Sequence, residues 1–481
     1  MMALAKDYES VMGRSAEIMK KALGLDYSRF EKGRAAFDYE ALMASTGFDM
    51  EQAARIQEET GVGKTPLLEL RNITKLARKY SRPGYGATIL IKDEAANPSG
   101  SFKDRRASLA VAQAKRQGYG GVIAATSGNY GAAVASQAAM RGLKAIIIQE
   151  CYDSRGVGQP EIIEKARKCE ALGAEVIQLT VGPELFYEHL SIMEDTGYFN
   201  ASLYSPFGVA GVETLGYEIG LEVRNRYGKE PAMAVCTYAG GGMVTGAARG
   251  LKKSGYKDTK IVGASIDLTG LHMASDSQFN MKSCTTGHTG FGIPHAMNPD
   301  SGDIPRSAAR PLRYMDRYVT VTQGEVMHMT EMLAILEGLE RGPAGNTALA
   351  CAFALARELP EEEIIVVTET EYTGAGKHIQ PQLSFARENG IEIRFGDPSS
   401  EDIPGKNIIL PSDPGLFACK DADLDHMRRK LILKTAEKAG GKLTAEDIDF
   451  LAADTNTDCS YVKKVLGEVL RTELDKQDSF R

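Results

Sequence analysis

Residues 121–150 read GVIAATSGNYGAAVASQAAMRGLKAIIIQE, and this stretch decides the fold. GVIAAT (121–126) and KAIIIQE (144–150) are near-continuous apolar runs of strand length, which suits strands buried on both faces of a sheet. Between them NYGAAVASQAAMRG carries a helical pattern that ends at Arg-Gly. Strand, helix, strand in this rhythm predicts a parallel sheet with right-handed crossovers.

The rhythm continues outward in both directions. Strand-length runs recur as ATILIK ending at Lys92, AEVIQLT (174–180), PAMAVCTYA (231–239), KIVGASID (260–267) and EIIVVTET (363–370). Helical patterns such as SLAVAQAKRQG from Ser108 and PEIIEKARKCEALG from Pro160 lie between them. The expected class is α/β, with two parallel-sheet domains bearing helices on both faces. Residues 1–60 are helical and charged with no strand signal. From about Glu401 the tail predicts three or so amphipathic helices, with Thr444 as an N-cap before AEDIDFL.

A chain of 481 residues exceeds what one core grows to, so two or more domains are expected. With 57 basic against 64 acidic residues the net charge is -7, which argues against an electrostatic nucleic-acid footprint. No run of about 18 apolar residues exists to span a bilayer. The opening MMALAKDYESVMGRS lacks the apolar core of a signal peptide, so the expected location is the cytoplasm. Seven scattered cysteines without C-x-x-C spacing read as reduced thiols, with neither a disulfide frame nor a zinc site.

Three loops carry chemistry. NPSGSFKDRRAS (97–108) sets Lys103 behind a turn and ahead of Arg105 and Arg106. A lysine amine reacts with carbonyls only when unprotonated, so its reference pKa of about 10.4 must be lowered by burial or nearby positive charge. A helix N-terminus and the two arginines are candidates for that; alone, the stretch reads first as a solvated lysine in a capping turn. TSGNYG (126–131) follows a strand and opens a helix near Gly131, presenting backbone N–H groups, hydroxyls and an amide to an anion. A simple capped turn has the same form. AGGGMVTG (239–246) lies between another strand and helix, and consecutive glycines let backbone wrap a phosphate. It is neither a Walker loop nor G-x-G-x-x-G.

In this order and spacing the loops resemble fold type II pyridoxal-phosphate enzymes, the family of threonine synthase, threonine dehydratase and cysteine synthase. The resemblance runs from about residue 63 to 396, through KTPLLEL (64–70), KDEAANPSGSFKDRRAS (92–108), TSGNYG, AGGGMVTG, EGLERGPAGNTALA (337–350) and YTGAGKH (372–378). It implies that Lys103 forms the Schiff base and that Asn129 hydrogen-bonds the pyridoxal 3'-oxygen. Ala239, Gly240, Gly241, Gly242 and Met243 would hold the phosphate. Thr373 would meet the ring nitrogen, with Thr368 as the rival. Thr126, Ser127, Gly128 and Tyr130 would line the substrate site, with Ser127 and the Gly128 backbone on the carboxylate. It further implies a large cofactor-binding domain of residues 61–92 and 208–400, a small mobile domain of 93–207 that carries the lysine, and helical extensions over 1–60 and 401–481. A neutral hydroxyl at the ring nitrogen favours chemistry at the β and γ carbons.

Over the whole chain the sequence resembles a narrower family, the β subunits of 2-amino-4-oxopentanoate thiolases of ornithine fermentation. FDYEALMASTGF (37–48), the lysine box, TSGNYG and ECYDSRGVGQPEIIEKARKCEALGAEVIQLTVGPELFYE (150–188) carry this. The resemblance implies cleavage of the (2R) substrate with coenzyme A as co-substrate to D-alanine and acetyl-CoA, a small α subunit as partner, and a homodimeric core. Alternatives are a threonine synthase-like or cysteate synthase-like replacement lyase and a non-catalytic scaffold of the same fold. Tyr130 and Met243 depart from common family residues and imply a reshaped pocket. Cys151, at a strand's carboxyl end, is a candidate acyl carrier or a buried hydrophobe. Arg155 and Arg306 are candidates for coenzyme A phosphates or for surface ion pairs. His272, His288 and His295 lack metal-ligand spacing.

Overall fold

The apolar runs become strands of two mainly parallel sheets in the computed structural model, which describes residues 6–126, 128–158, 160–182, 184–268, 289–372 and 379–478. In chain order the strands are β1 (Leu67–Glu69), β2 (Thr88–Asp93), β3 (Gly121–Thr126), β4 (Lys144–Tyr152), β5 (Glu175–Thr180), β6 (Phe199–Asn200) and β7 (Met233–Thr237). They continue with β8 (Lys260–Ile266), β9 (Arg317–Val321), β10 (Ile364–Glu369), β11 (Glu392–Gly396), β12 (Asn407–Pro411) and β13 (Lys420–Asp421). The large sheet is ordered β1-β2-β10-β7-β8-β9-β13 and the smaller one β5-β4-β3-β6. Parallel pairing holds throughout the smaller sheet and between β2 and β9 of the larger, with β1 and β13 antiparallel at its edges. Both β3 and β10 are buried along their whole length, as their unbroken apolar runs require.

Two helices join the sheets. Lys103–Arg116 follows β2 and leads into β3, and Pro206–Tyr227 carries the chain from β6 to β7. They touch closely at Gly211, where an added Cβ would lie 1.9 Å from the Arg105 carbonyl oxygen. Gln57, from the N-terminal helix Met50–Glu58, closes this contact by donating to the carbonyls of Arg105 at 3.2 Å and Gly211 at 2.9 Å.

The terminal segments do not hang free. Val11, Ile18, Met19, Leu23 and Phe37 share one apolar core with β3, β4 and the C-terminal Ile432, Phe450, Leu451 and Val465. The tail beyond Glu401 carries the three expected helices, Leu424–Lys438, Ala445–Asp454 and Cys459–Asp478, the second capped by Thr444. Two strands precede them, which corrects the expectation of a purely helical tail. NIILP (407–411) pairs in parallel with β11, and Lys420 and Asp421 add an edge to the large sheet. That edge strand is too short to show a period-two pattern.

The C-terminal helices are tied down electrostatically. Arg310 donates through Nε to Asp454 at 3.0 Å, through Nη2 to the same carboxylate, and through Nη1 to Asp300 at 2.8 Å. Arg310 and Asp454 are both buried. Removing one partner of such a pair leaves an uncompensated buried charge. Asp454→Ala is therefore expected to destabilise the protein by about 3 kcal/mol, the low end for a broken buried pair because Asp300 remains. The fall in urea midpoint measures it.

Candidate active site

Lys103 opens its helix directly after the 97–102 turn, and that turn is stitched to the carboxyl end of β10. Phe102 N–H donates to the Thr370 carbonyl at 3.0 Å, and Tyr372 N–H donates to the Gly100 carbonyl at 2.7 Å. Gly100 has φ +81°, and a Cβ there would meet the Tyr372 oxygen at 2.7 Å, so only glycine fits. Asp104 accepts from Ser99 N–H at 2.6 Å inside the turn. The lysine is thus delivered from rigid backbone to the mouth between the sheets.

Its amine is tuned. Burial lowers the Lys103 pKa to about 8; the nearby cations Lys165 and Arg106 push the same way, and Glu371 and Glu161 oppose them. Arg105, the other candidate, is not among the groups that shift it. Its guanidinium is fully buried and neutralised, donating to Glu94 at 2.6 and 2.8 Å and to Glu218 at 2.8 Å through both terminal nitrogens. Arg106, by contrast, meets no carboxylate among the described residues.

In the second loop Thr126 Oγ1 accepts from the N–H groups of Gly128 at 3.0 Å and Gly131 at 3.3 Å, so this hydroxyl shapes the turn. The helix Asn129–Arg141 begins two residues earlier than expected, with Asn129 buried at its first position. The buried Tyr130 donates its hydroxyl to the Ala201 carbonyl, leaving its ring to face the Arg106 guanidinium at 5.9 Å. In the third loop Gly241, at φ +79°, caps the helix Gly242–Lys253, and Ala239 and Gly240 are partly exposed on its approach. Thr368 Oγ1 lies within hydrogen-bond distance of Met243 Sδ, at 2.9 Å on that helix, and of the Val235 carbonyl, at 3.4 Å on the neighbouring strand. Ser127 and Thr373 lie outside the described residues, as do His272 and His288.

Other candidates are held by contacts of their own. Cys151 is buried among Ile162, Ala166 and Val181, in keeping with a small hydrophobe. Arg155 pairs with Asp153 at 2.7 Å, and Arg306 with Glu31 at 3.1 Å. His295 stacks on Tyr204 at 4.7 Å, and burial drops its pKa to about 4. No group of acidic, cysteine or histidine residues suited to a metal occurs among the described residues.

The sequence reading missed Lys165. It is buried on the helix Pro160–Ala171 and pairs with Glu161 one turn away and with Glu371 at 3.6 Å. Burial opposes its charge, but the two carboxylates overcome this and raise its pKa. A Cβ on Gly128 would lie 3.5 Å from Lys165 Nζ, so this ammonium flanks the second loop. The i,i+4 spacing of Glu161 and Lys165 was visible, but not that this helix face turns to the cleft.

A family model described as "Pyridoxal-phosphate dependent enzyme" matches residues 58–371. The chain belongs to this family. A relative from Acetoanaerobium sticklandii called "2-amino-4-ketopentanoate thiolase beta subunit" is 65% identical over 97% of this chain and 100% of its own length. A second relative of that name, from an unknown prokaryotic organism, is 63% identical over 97% of this chain and 99% of its own. Among solved structures, an O-ureido-L-serine synthase mutant shares the fold with a TM-score of 0.52 at 20% identity, over 70% of this chain and 93% of its own.

The residues present fit pyridoxal phosphate. A lysine with a lowered pKa, a glycine-rich helix start and a buried cation without a counter-charge converge on one cleft, with Lys103 and Arg106 one turn apart on a single helix. Capture of an aldehyde needs a neutral amine, so with Lys103 in that role the cofactor uptake rate of apoprotein is expected to rise with pH through about 8 and then level. Lys165→Met removes a cation that lowers this pKa and also leaves Glu161 and Glu371 without their ammonium. The midpoint is then expected to move up, as read by stopped-flow absorbance across a pH series.

Proposed function

We infer that this protein is the cofactor-bearing β subunit of a two-subunit thiolase, cleaving (2R)-2-amino-4-oxopentanoate with coenzyme A to D-alanine and acetyl-CoA in ornithine degradation. The observation that carries this reading is the 65% identity that extends through both terminal segments, regions beyond the 58–371 family match. The reaction balances: the thiol sulfur bonds C4, the C3–C4 bond breaks, and C3 gains a proton. Bound pyridoxal phosphate supplies the electron sink for such chemistry.

In this reading the chain's residues divide the work. Lys103 would hold the cofactor, and its amine would move protons at carbon, for which a pKa near neutrality is suited. The 239–243 loop offers N–H groups to the phosphate, Asn129 serves the ring oxygen and Thr373 the ring nitrogen. Ser127 and the Gly128 backbone take the substrate carboxylate, and the 93–207 domain closes toward the 61–92 and 208–400 domain. Thr126 and Tyr130 act by holding the second loop in shape. Glu161, Lys165 and Glu371 supply a buried proton reservoir beside Lys103. A small α subunit joins this chain, itself a homodimer, in the cytoplasm. No described helix is long and apolar enough to cross a membrane.

Mixing the purified chain with its small partner, the D-configured substrate and coenzyme A is expected to yield alanine and acetyl-CoA in equal amounts. Inorganic phosphate release from O-phosphorylated amino acids instead, with no coenzyme A-dependent alanine, would assign the protein to the replacement lyases.

A further inference from the structure

Arg106 stands out among the buried charges. It is 4% exposed, and its Nε and Nη2 have no hydrogen-bond partner. Unlike Arg105, Arg310 and Arg249, it forms no ion pair among the described residues; the rings of Phe102 at 5.7 Å and Tyr130 at 5.9 Å lie near it. A guanidinium cannot escape the desolvation cost by losing its proton, so a buried one without a counter-charge calls for an anion. Its position says where. A Cβ on Gly242 would lie 1.4 Å from Arg106 Nη2, so the guanidinium lies against the first residue of the helix Gly242–Lys253. That helix presents free N–H groups and the positive end of its dipole to the same space.

We propose that Arg106 is a side-chain anchor for the cofactor phosphate, adding a charge-assisted arginine contact to the glycine cradle. The absence of a side chain at Gly242 leaves the space that the guanidinium fills. Lys103 and Arg106 are three residues apart on one helix, so that helix holds the cofactor at both ends, by its aldehyde and by its phosphate. The phosphate in turn ties the helix to the large sheet, from which the glycine loop springs.

The test uses full-length apoprotein and compares pyridoxal phosphate with pyridoxal, which lacks the phosphate. Arg106→Met is expected to weaken pyridoxal phosphate binding about 10- to 100-fold, the range of a lost charge-assisted hydrogen bond, and to change pyridoxal binding far less, only through the Lys103 pKa that Arg106 lowers. Arg106→Lys is expected to fall between. Thermal unfolding gives an independent reading. The Met variant should be more stable than wild type without cofactor, having lost an uncompensated buried charge, and gain less on adding it. Equal weakening of both ligands, unchanged phosphate-ligand affinity, or loss of alanine binding alone would overturn the assignment, the last moving Arg106 to the substrate carboxylate.

Discussion

The site depends on a buried ion-pair network around Arg105. Arg105 and Glu94 are fully buried, and Glu218, itself paired with Lys92 at 3.0 Å, completes the cluster. Its members come from β2 and the turn after it, from the lysine helix and from Pro206–Tyr227. Taking these charges out of water is costly, and the cost is recovered only if every fork and lone pair meets its partner. The network therefore tolerates one placement of the lysine helix. With Arg105 locked on one side, Lys103 and Arg106 are directed to the other.

This arrangement separates charges that hold the structure from charges that meet a ligand. Arg105, Arg249 and Arg310 are matched by carboxylates and serve the fold. Lys103, at a pKa of about 8, and Arg106 form no ion pair among the described residues. Lys165 stands between the two classes: paired, yet close enough to bias Lys103. Perturbed titration and unmatched charge mark functional ground because a core selected for stability alone would not keep them.

Much of this was legible in the residues. The unbroken apolar runs at β3, β4 and β10 announced buried parallel strands, and the glycines at 240–242 announced a glycine-rich helix start. What escaped was set by contacts distant in sequence. Arg105 reads like Arg106 until Glu218, 113 positions away, is brought beside it. Lys165 reads as one more charge on an amphipathic helix until Glu371 arrives from the end of β10. The N-terminal helices read as an appendage, yet their apolar face completes the core of the smaller sheet together with Phe450 and Leu451. A two-residue edge strand at Lys420 has no period to detect.

Two lysines border one cleft, and the account rests on which of them bonds the cofactor. Borohydride reduction of the holoprotein, followed by digestion and mass mapping, decides it. A pyridoxyl-phosphate adduct on the peptide that contains Lys103, with none on Lys165, is the predicted result. An adduct on Lys165, or none on either, would contradict the account.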